Sequence, residues 1–269
     1  MKMVNGRSKS SNLSASTSLQ RGLAILSAFG GHRQPLGISD LAGLVKMTPS
    51  TVHRYVRTLT ALGYLQQDPA TKKYRLDFKV VDLGLAVINS LDVRDVARPY
   101  LHELGQTTGL TVNMAVLDGP DIVYIERIHG RLSIDLNLHV GSRQPAYCTS
   151  MGKVLLAFTD QPRADDLLAQ TDFVHRGPNT ITSPDYLRAE LETVRRLGFA
   201  INNEELAYGL RSIAAPVRNA SDVVVAAINL SGGPYTLTQI GELLAPPLLA
   251  AAQTISRQLG APSPARPPD

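Results

Sequence analysis

The segment spanning residues 48–63 constrains the fold most, because it carries both ends of a helix and a basic outer surface. Thr48 is a potential N-cap, Pro49 suits the first helical position, and Gly63 suits the position just after a helix end. Apolar residues at helical spacing predict a buried stripe, formed by Val52, Val56, Leu59 and Leu62. The residues expected to face outward are Ser50, Thr51, His53, Arg54 and Arg57.

The elements on either side of this helix predict a winged helix-turn-helix. Residues 18–29 form an amphipathic helix whose apolar positions are Leu19, Leu23, Leu26 and Phe29. A short second helix follows Ile38, with Ser39 as its potential N-cap. After residue 63, two strand-like runs flank the Asp68-Pro69 turn and predict a hairpin that ends at residue 76.

The charge distribution indicates that this first segment meets a polyanion. Residues 1–80 hold twelve Lys and Arg against three Asp, whereas the rest of the chain is net acidic. A helix fits the DNA major groove, where Ser, Thr, His and Arg side chains reach base edges and phosphates. We favour a DNA contact for His53 over simple exposure, and Lys72 and Lys73 at the hairpin tip would neutralise phosphates. Charge alone leaves open a basic face that serves only solubility.

The remaining chain predicts a linker helix and a second domain. Residues 77–90 are apolar at Phe78, Val81, Leu85 and Ile88, a stripe that suits a partner chain or its own domain. From residue 93, predicted helices cover 93–107, a start near 149, 161–170, 184–197 and 237–259, the last bent at Pro246-Pro247. Predicted strands cover residues 111–117, 122–128, 132–140, 212–217 and 223–230. The fold class is therefore α+β with an antiparallel sheet.

These patterns divide the chain into five parts. We expect a disordered tail over residues 1–17, the winged helix-turn-helix over 18–76 and the linker helix over 77–92. An effector-binding domain follows over 93–260, and the proline-rich residues 261–269 are expected to be disordered. No apolar run reaches the roughly 18 residues of a membrane span, and the N-terminus lacks a secretory signal, so a cytoplasmic protein is expected.

Several residue types limit the chemistry of the chain. One cysteine, Cys148, excludes an internal disulfide, and the scattered histidines predict no metal site and no cofactor. Ser150 lacks a nucleophile elbow and an evident base, so no catalytic residue and no enzyme is predicted. Cys148 is expected to be a small buried residue. Glu204 and Glu205 could bind a ligand, hold Arg211 or cap a helix, and Tyr124, Tyr147 and Tyr208 could line a pocket or belong to the core.

The chain resembles the IclR family of bacterial regulators over residues 18–260. The segments that carry the resemblance are residues 50–54, Leu59, 63–65, 140–145, 150–153, 204–205, 209–212 and 226–232. Residues 138–153 are most similar to the branch that regulates protocatechuate, 4-hydroxybenzoate and β-ketoadipate catabolism.

This resemblance implies a GAF-like effector domain, dimers or tetramers, and DNA binding that a metabolite alters. It also implies a pocket whose floor is the turn into the helix at Ser150 and Met151, where backbone N–H groups would bind a carboxylate. Met151 is larger than the small residue usual there. The other implied effector-binding residues are Asn203, Ser212, Asn229 and Ser231.

The sequence thus predicts a transcriptional regulator that binds double-stranded operator DNA as a homodimer or homotetramer. Its expected effector is an aromatic or other small organic acid of a catabolic pathway. The alternative is a GAF-like sensor that acts through a protein partner and binds DNA mainly without sequence specificity.

Overall fold

The computed structural model describes residues 16–30, 32, 34–89, 92–131, 138–232 and 239–262. It divides into two compact units, Met1–Asn89 and Ser90–Asp269. We call them the N-terminal unit and the C-terminal unit and describe each by itself. The helix predicted as a linker therefore groups with the N-terminal unit.

The N-terminal unit has the predicted element order of a winged helix-turn-helix. Its elements are α1 (Thr17–Ser27), α2 (Ile38–Val45), α3 (Pro49–Ala61), β1 (Leu65–Gln67), β2 (Tyr74–Leu76) and α4 (Lys79–Asn89). The strands β1 and β2 pair antiparallel as the wing. A small core of fully buried side chains joins the three helices and the wing, and it includes Ile25, Leu41, Val52, Val56 and Leu65.

Three local predictions in this unit are wrong. The buried residue of α1 is Ile25, while Leu19 and Leu23 are more than half exposed, because the helix packs through a face rotated from the predicted stripe. Phe29, just beyond the helix, is buried as predicted. Leu62 is also 52% exposed, since α3 ends before it. Ser39 lies inside α2, whose N-cap is Gly37.

The ends of α3 lie where the sequence suggests. Thr48 is the N-cap residue, and Gly63, just beyond the helix, has a φ of 80°, a conformation that glycine adopts without strain. The Lys79 ammonium donates to the Leu62 carbonyl at 2.9 Å and lies 5.1 Å from the centre of the Tyr64 ring. A cation at this position also opposes the negative end of the helix dipole.

The C-terminal unit is built on a six-stranded antiparallel sheet. Its helices are α5 (Asp92–Thr108), α6 (Ser150–Ala157), α7 (Gln161–Ala169), α8 (Pro184–Leu197) and α9 (Ala245–Gln258). Its strands are β3 (Thr111–Asp118), β4 (Asp121–Ile128), β5 (Arg143–Pro145), β6 (Ala200–Asn203), β7 (Arg211–Arg218) and β8 (Val224–Ser231). The strand order is β5-β4-β3-β8-β7-β6.

A hydrophobic core lies on each face of this sheet. On one face α5 and α9 cover residues such as Val112, Ile213 and Ile228. On the other face α6, α7 and α8 cover a second core. The predicted α+β class with an antiparallel sheet is confirmed.

The sheet differs from prediction at its two edges. The strand predicted over 132–140 lies mostly outside the described residues, and the described residues 138–140 form no strand. The short edge strands β5 and β6 were not predicted, because three or four residues carry too little alternation to be recognised.

The closing helix is irregular just before its prolines. Its described part begins at Gln239 with a π-helical turn, Ile240–Leu244, and continues as α9. Pro246 and Pro247 lack an N–H group, so they fit the first turn of α9, where no partner is needed. The predicted bend is therefore a π-turn that precedes the proline pair.

Candidate functional site

The N-terminal unit presents a polar surface at the start of α3. The Thr48 hydroxyl lies 3.2 Å from the Ser50 hydroxyl and 2.9 Å from the Thr51 hydroxyl. Because Thr48 makes no side-chain hydrogen bond to the backbone, the first N–H groups of α3 are left without a side-chain cap. Such a helix start suits a phosphate oxygen.

The basic residues of α3 are exposed. His53, Arg54 and Arg57 all lie on its solvent face, as predicted. The Arg54 guanidinium lies 5.4 Å from the centre of the Tyr55 ring, a cation–π distance. Neither arginine forms a salt bridge within the described residues, so both charges remain available to a polyanion.

The wing carries two further exposed cations on an ordered turn. One Asp68 carboxylate oxygen accepts from the Thr71 N–H at 2.9 Å and from the Ala70 N–H at 2.8 Å. These hydrogen bonds lower the pKa of Asp68. Lys72 and Lys73 follow this turn, and both are exposed.

The C-terminal unit holds a polar cavity between its sheet and the start of α6. The lining residues are Thr111, Asn113, Tyr124, Arg127, Leu138, Thr149, Ser150, Asn202, Leu206, Leu210, Ser212, Asn229 and Ser231. The free space between them is about 20 Å³, enough for about one water molecule. An organic acid would therefore enter only if lining side chains move.

Two cross-strand rows build the sheet side of this cavity. In the first row, Arg127 of β4 is in register with Asn113 of β3, which is in register with Asn229 of β8. Arg127 Nη1 donates to Asn113 Oδ1 at 2.9 Å, and Asn113 Nδ2 donates to Asn229 Oδ1 at 2.8 Å. The three side chains form a continuous hydrogen-bonded chain.

The second row lies two residues away from the first along each strand. Ser231 of β8 is in register with Thr111 of β3 and with Ser212 of β7. Ser212 is in turn in register with Asn202 of β6. Because side chains alternate between the faces of a sheet, both rows point to the same face.

The start of α6 closes the cavity. The Thr149 hydroxyl caps the helix by accepting from the Gly152 N–H at 3.1 Å, and the Ser150 hydroxyl lies 2.8 Å from the Ser212 hydroxyl. A Cβ atom at Gly152 would lie 2.2 Å from the Ala146 carbonyl oxygen, so only glycine permits this close approach. Helix and sheet are thus joined at the cavity by a hydroxyl pair.

A β-bulge decides which side chains of β4 enter the cavity. The β3–β4 register shifts between Met114 and Ala115, where Ile125 has no partner. The shift brings Tyr124 and Arg127, three residues apart, to the same face. Burial raises the pKa of Tyr124 to about 12, so its hydroxyl stays protonated at neutral pH.

The structure brings four of the six predicted effector residues to this cavity, namely Ser150, Ser212, Asn229 and Ser231. The Met151 side chain is not among the lining residues, because it is fully buried in the core beneath α6. Asn203 also lies outside it, since its side-chain oxygen accepts from Arg211 at 3.1 Å. Its sheet neighbour Asn202 lines the cavity instead.

Sequence reasoning did not name Arg127, Asn113, Thr111 or Asn202 as lining residues. Among the described residues of the lining, Arg127 is the only one with a charge. Polar residues at alternate positions of β3, Thr111 and Asn113, were the available signal, because a strand with both faces buried seldom carries them.

The acidic pair after β6 is structural. Glu204 forms an ion pair with Arg211. The Glu205 carboxylate accepts from the Lys153 ammonium at 2.7 Å, and both side chains are almost fully buried. The same ammonium donates to Glu190 at 2.8 Å and to the Ile201 carbonyl at 2.6 Å. This cluster ties α6 to α8 and β6 directly behind the cavity.

The structure places the other residues whose roles the sequence left open. Tyr124 lines the cavity, Tyr147 is buried with its hydroxyl on the Val174 carbonyl at 2.6 Å, and Tyr208 is 87% exposed. Cys148 is a buried free thiol, and burial raises its pKa to about 12. Within the described ranges, no three His, Cys, Asp or Glu side chains meet as metal ligands, and no helix is long and apolar enough to cross a membrane.

The chain combines a winged helix-turn-helix, whose basic helix is exposed, with a sheet domain that encloses a polar cavity. This combination defines a ligand-responsive DNA-binding protein. The IclR helix-turn-helix domain model matches residues 18–69. The model of the bacterial transcriptional regulator IclR C-terminal domain matches residues 85–257. The chain therefore belongs to the IclR family of transcriptional regulators, with a DNA-binding N-terminal domain and an effector-binding C-terminal domain.

Two curated relatives are similar to this chain over most of both sequences. The chain is 37% identical over 214 residues to the transcriptional regulator XynR of Escherichia coli, covering 80% of this chain and 85% of that protein. It is 38% identical over 248 residues to the Pca regulon regulatory protein of Pseudomonas putida, covering 90% of this chain and 84% of that protein.

Solved structures match this chain along most of its length. The Thermotoga maritima IclR is 29% identical, with a TM-score of 0.71, and the match covers 90% of this chain and 98% of that one. An IclR homologue of Microbacterium hydrocarbonoxydans, solved in complex with 4-hydroxybenzoate, is 26% identical with a TM-score of 0.78. That match covers 90% of this chain and 99% of the other.

Proposed function

We propose that this regulator responds to a small organic acid of a catabolic pathway, with an aromatic hydroxy acid as the first candidate. The acid binds in the cavity between the start of α6 and the two polar rows of the sheet. It changes operator affinity by binding more tightly to one arrangement of the DNA-binding units than to another. The protein works in the cytoplasm and catalyses no reaction.

The observation that carries this proposal is the composition of the cavity. Hydroxyl and amide groups from β3, β6, β7, β8 and α6 converge on one enclosed space. Ser150 and Ser212 pair their hydroxyls, so they serve as adaptable donors and acceptors rather than as a nucleophile with a base. Convergent polar groups in a concave site are typical of a small-molecule pocket.

Two relatives support the proposed chemical class. The Pca regulon regulator and the 4-hydroxybenzoate complex are similar to this chain over most of its length. The cavity must widen from its present free volume to admit an aromatic ring. Smaller acids such as pyruvate are therefore the second candidates.

The DNA contacts are proposed for the surface of α3 and the wing. Ser50, Thr51, His53, Arg54 and Arg57 would enter the major groove, and Lys72 and Lys73 would contact phosphates. A homodimer or homotetramer would present two or more such units. The exposure of Phe78, Val81 and Leu83 at and within α4 supports pairing between copies, because exposed large apolar side chains on one helix suit a protein interface.

A thermal-shift titration of the full-length protein tests the effector class. We expect 4-hydroxybenzoate, 3,4-dihydroxybenzoate or pyruvate to raise the melting temperature, with about 2.7 kcal/mol of stabilisation at a hundredfold excess over Kd. The same acid should change the affinity for a fragment of DNA from beside the protein's own gene. Stabilisation by sugars or amines alone would contradict the organic-acid class.

The wing makes a separate prediction about salt. Replacing Lys72 and Lys73 together by glutamine should weaken binding to operator and random DNA alike. The slope of log K against log salt should shrink by about one for each lysine. Replacing the exposed Arg196 of the C-terminal unit by glutamine removes one positive charge away from the wing and is the control for each single lysine. Loss of sequence preference in the double variant would show that the wing reads bases.

A sensor that acts through a protein partner is the competing function. It predicts steep salt dependence with equal affinity for operator and scrambled DNA. Filter-binding titrations at several salt concentrations separate the two functions.

A further inference from the structure

The effector cavity carries one net positive charge among its described lining residues, and Arg127 supplies it. We propose that the Arg127 guanidinium is the counter-ion that selects a carboxylate effector, with Asn113 holding it in place. This inference rests on the proposed effector site and names the residue that sets its preference for acids.

The guanidinium is only partly satisfied. Its Nη1 donates to Asn113 Oδ1 at 2.9 Å, but the Nε–H is buried and has no acceptor within the described residues. A buried donor without a partner is costly, and the cost disappears when an acceptor arrives. A carboxylate fits best, because it accepts two parallel hydrogen bonds from an arginine.

The acid adjacent in sequence does not neutralise this charge. The Glu126 carboxylate precedes Arg127 on β4 and pairs with Arg94 at 3.2 Å and with Arg98 at 3.3 Å. Its register partner Met114 belongs to the core on the opposite face of the sheet. Arg127 therefore faces the cavity without a carboxylate partner among the described residues.

Neutral groups surround the rest of the space. The Tyr124 hydroxyl stays protonated and has no hydrogen-bond partner among the described residues. Asn229 Oδ1 accepts from Asn113 Nδ2, which leaves the Asn229 side-chain nitrogen as a donor. These groups suit a hydroxyl or keto oxygen, so the favoured ligand is an acid with one further oxygen function.

The test compares an acid with its neutral amide. Wild-type protein, Arg127→Gln and Arg127→Lys are titrated by calorimetry with 4-hydroxybenzoate and 4-hydroxybenzamide. We expect the wild type to prefer the acid. Arg127→Gln should bind the acid about ten- to hundredfold more weakly, with little change for the amide. Arg98→Gln, which removes the same charge outside the cavity, should keep the wild-type preference.

The Arg127→Lys variant separates selection by charge from a structural role. It keeps the positive charge in the cavity but loses the Nε–H donor and the forked geometry of the guanidinium. If the charge of Arg127 selects the effector, Arg127→Lys retains a preference for the acid that Arg127→Gln loses. If both variants show the same ratio of acid to amide affinity, the charge does not select the acid and the proposal is overturned. This variant keeps a cation at the same position, so it also remains informative if Arg127→Gln does not fold.

Other outcomes are equally decisive. An unchanged ratio of acid to amide affinity in Arg127→Gln overturns the proposal. So does a wild type that binds the amide but none of 4-hydroxybenzoate, 3,4-dihydroxybenzoate and pyruvate, or that binds nothing in this panel. Operator affinity is measured in parallel by gel shift, so failure of the counter-ion is distinguished from failure of the regulator function.

Discussion

Replacing Lys153 by methionine is expected to destabilise the C-terminal unit by about 3–5 kcal/mol, because a buried charge pair loses one partner. Lys153 is 1% exposed, and its ammonium binds Glu205, Glu190 and the Ile201 carbonyl. Methionine fills a similar volume but leaves the Glu205 carboxylate buried without its cation. Urea denaturation followed by circular dichroism measures the loss.

The same variant has a defined pH dependence. Burial raises the pKa of Glu205 above its ordinary value of 4.5, and Lys153 partly offsets this. A raised pKa in the folded state means that stability from this group is present at low pH and is lost as pH rises through the folded pKa. Without Lys153 the pKa rises further. The deficit of Lys153→Met should therefore be largest at neutral pH and smaller near pH 4.5.

A double-mutant cycle provides the control. Adding Glu205→Gln to Lys153→Met removes the stranded charge and should restore part of the stability. Arg196→Met, on the exposed face of α8, should cost little. A deficit for Lys153→Met that is independent of pH would contradict the ion-pair explanation.

The second large effect is expected on DNA. Arg57→Ala and Arg54→Ala should each weaken operator binding by about 1–3 kcal/mol, which is roughly five- to 150-fold. Both side chains are exposed on α3. Because alanine is the best helix former, neither substitution should unfold the helix, and the melting temperature should stay near the wild-type value.

Arg57 is expected to show the larger loss. Arg54 lies against the Tyr55 ring, a contact that it would have to weaken on reaching for DNA. Gel shifts with operator and scrambled DNA separate base contacts, which reduce the preference for operator, from phosphate contacts, which do not. Arg196→Ala is the charge-matched control. Unchanged operator affinity in both variants would remove α3 as the recognition helix.

In the N-terminal unit, sequence patterns predicted the order of the elements better than the packing of their side chains. The order of elements, the ends of α3 and its exposed basic face follow from local signals, namely proline, glycine and helical spacing. The predicted buried stripe of α1 failed, because Leu19, Leu23 and Ile25 are all apolar and only packing decides which one turns inward.

By itself, the sequence determined most of the elements and which end of the chain is basic, and its family resemblance implied that Ser150, Ser212, Asn229 and Ser231 lie together. Only the tertiary structure decided that Arg127 and Asn113 join them and that Met151 and Asn203 do not. For the strand residues the physical reason is register, because one residue is enough to move a side chain to the other face of a sheet. A bulge shifts β4 by one residue against β3 and brings Arg127 to the face of Tyr124, and Asn202 rather than Asn203 is in register with Ser212. Met151 is excluded by helix packing, which buries its side chain beneath α6. Lys153 is a second case, because its partners lie 37 and 52 residues away and only the packed helices and sheet bring them within hydrogen-bonding distance.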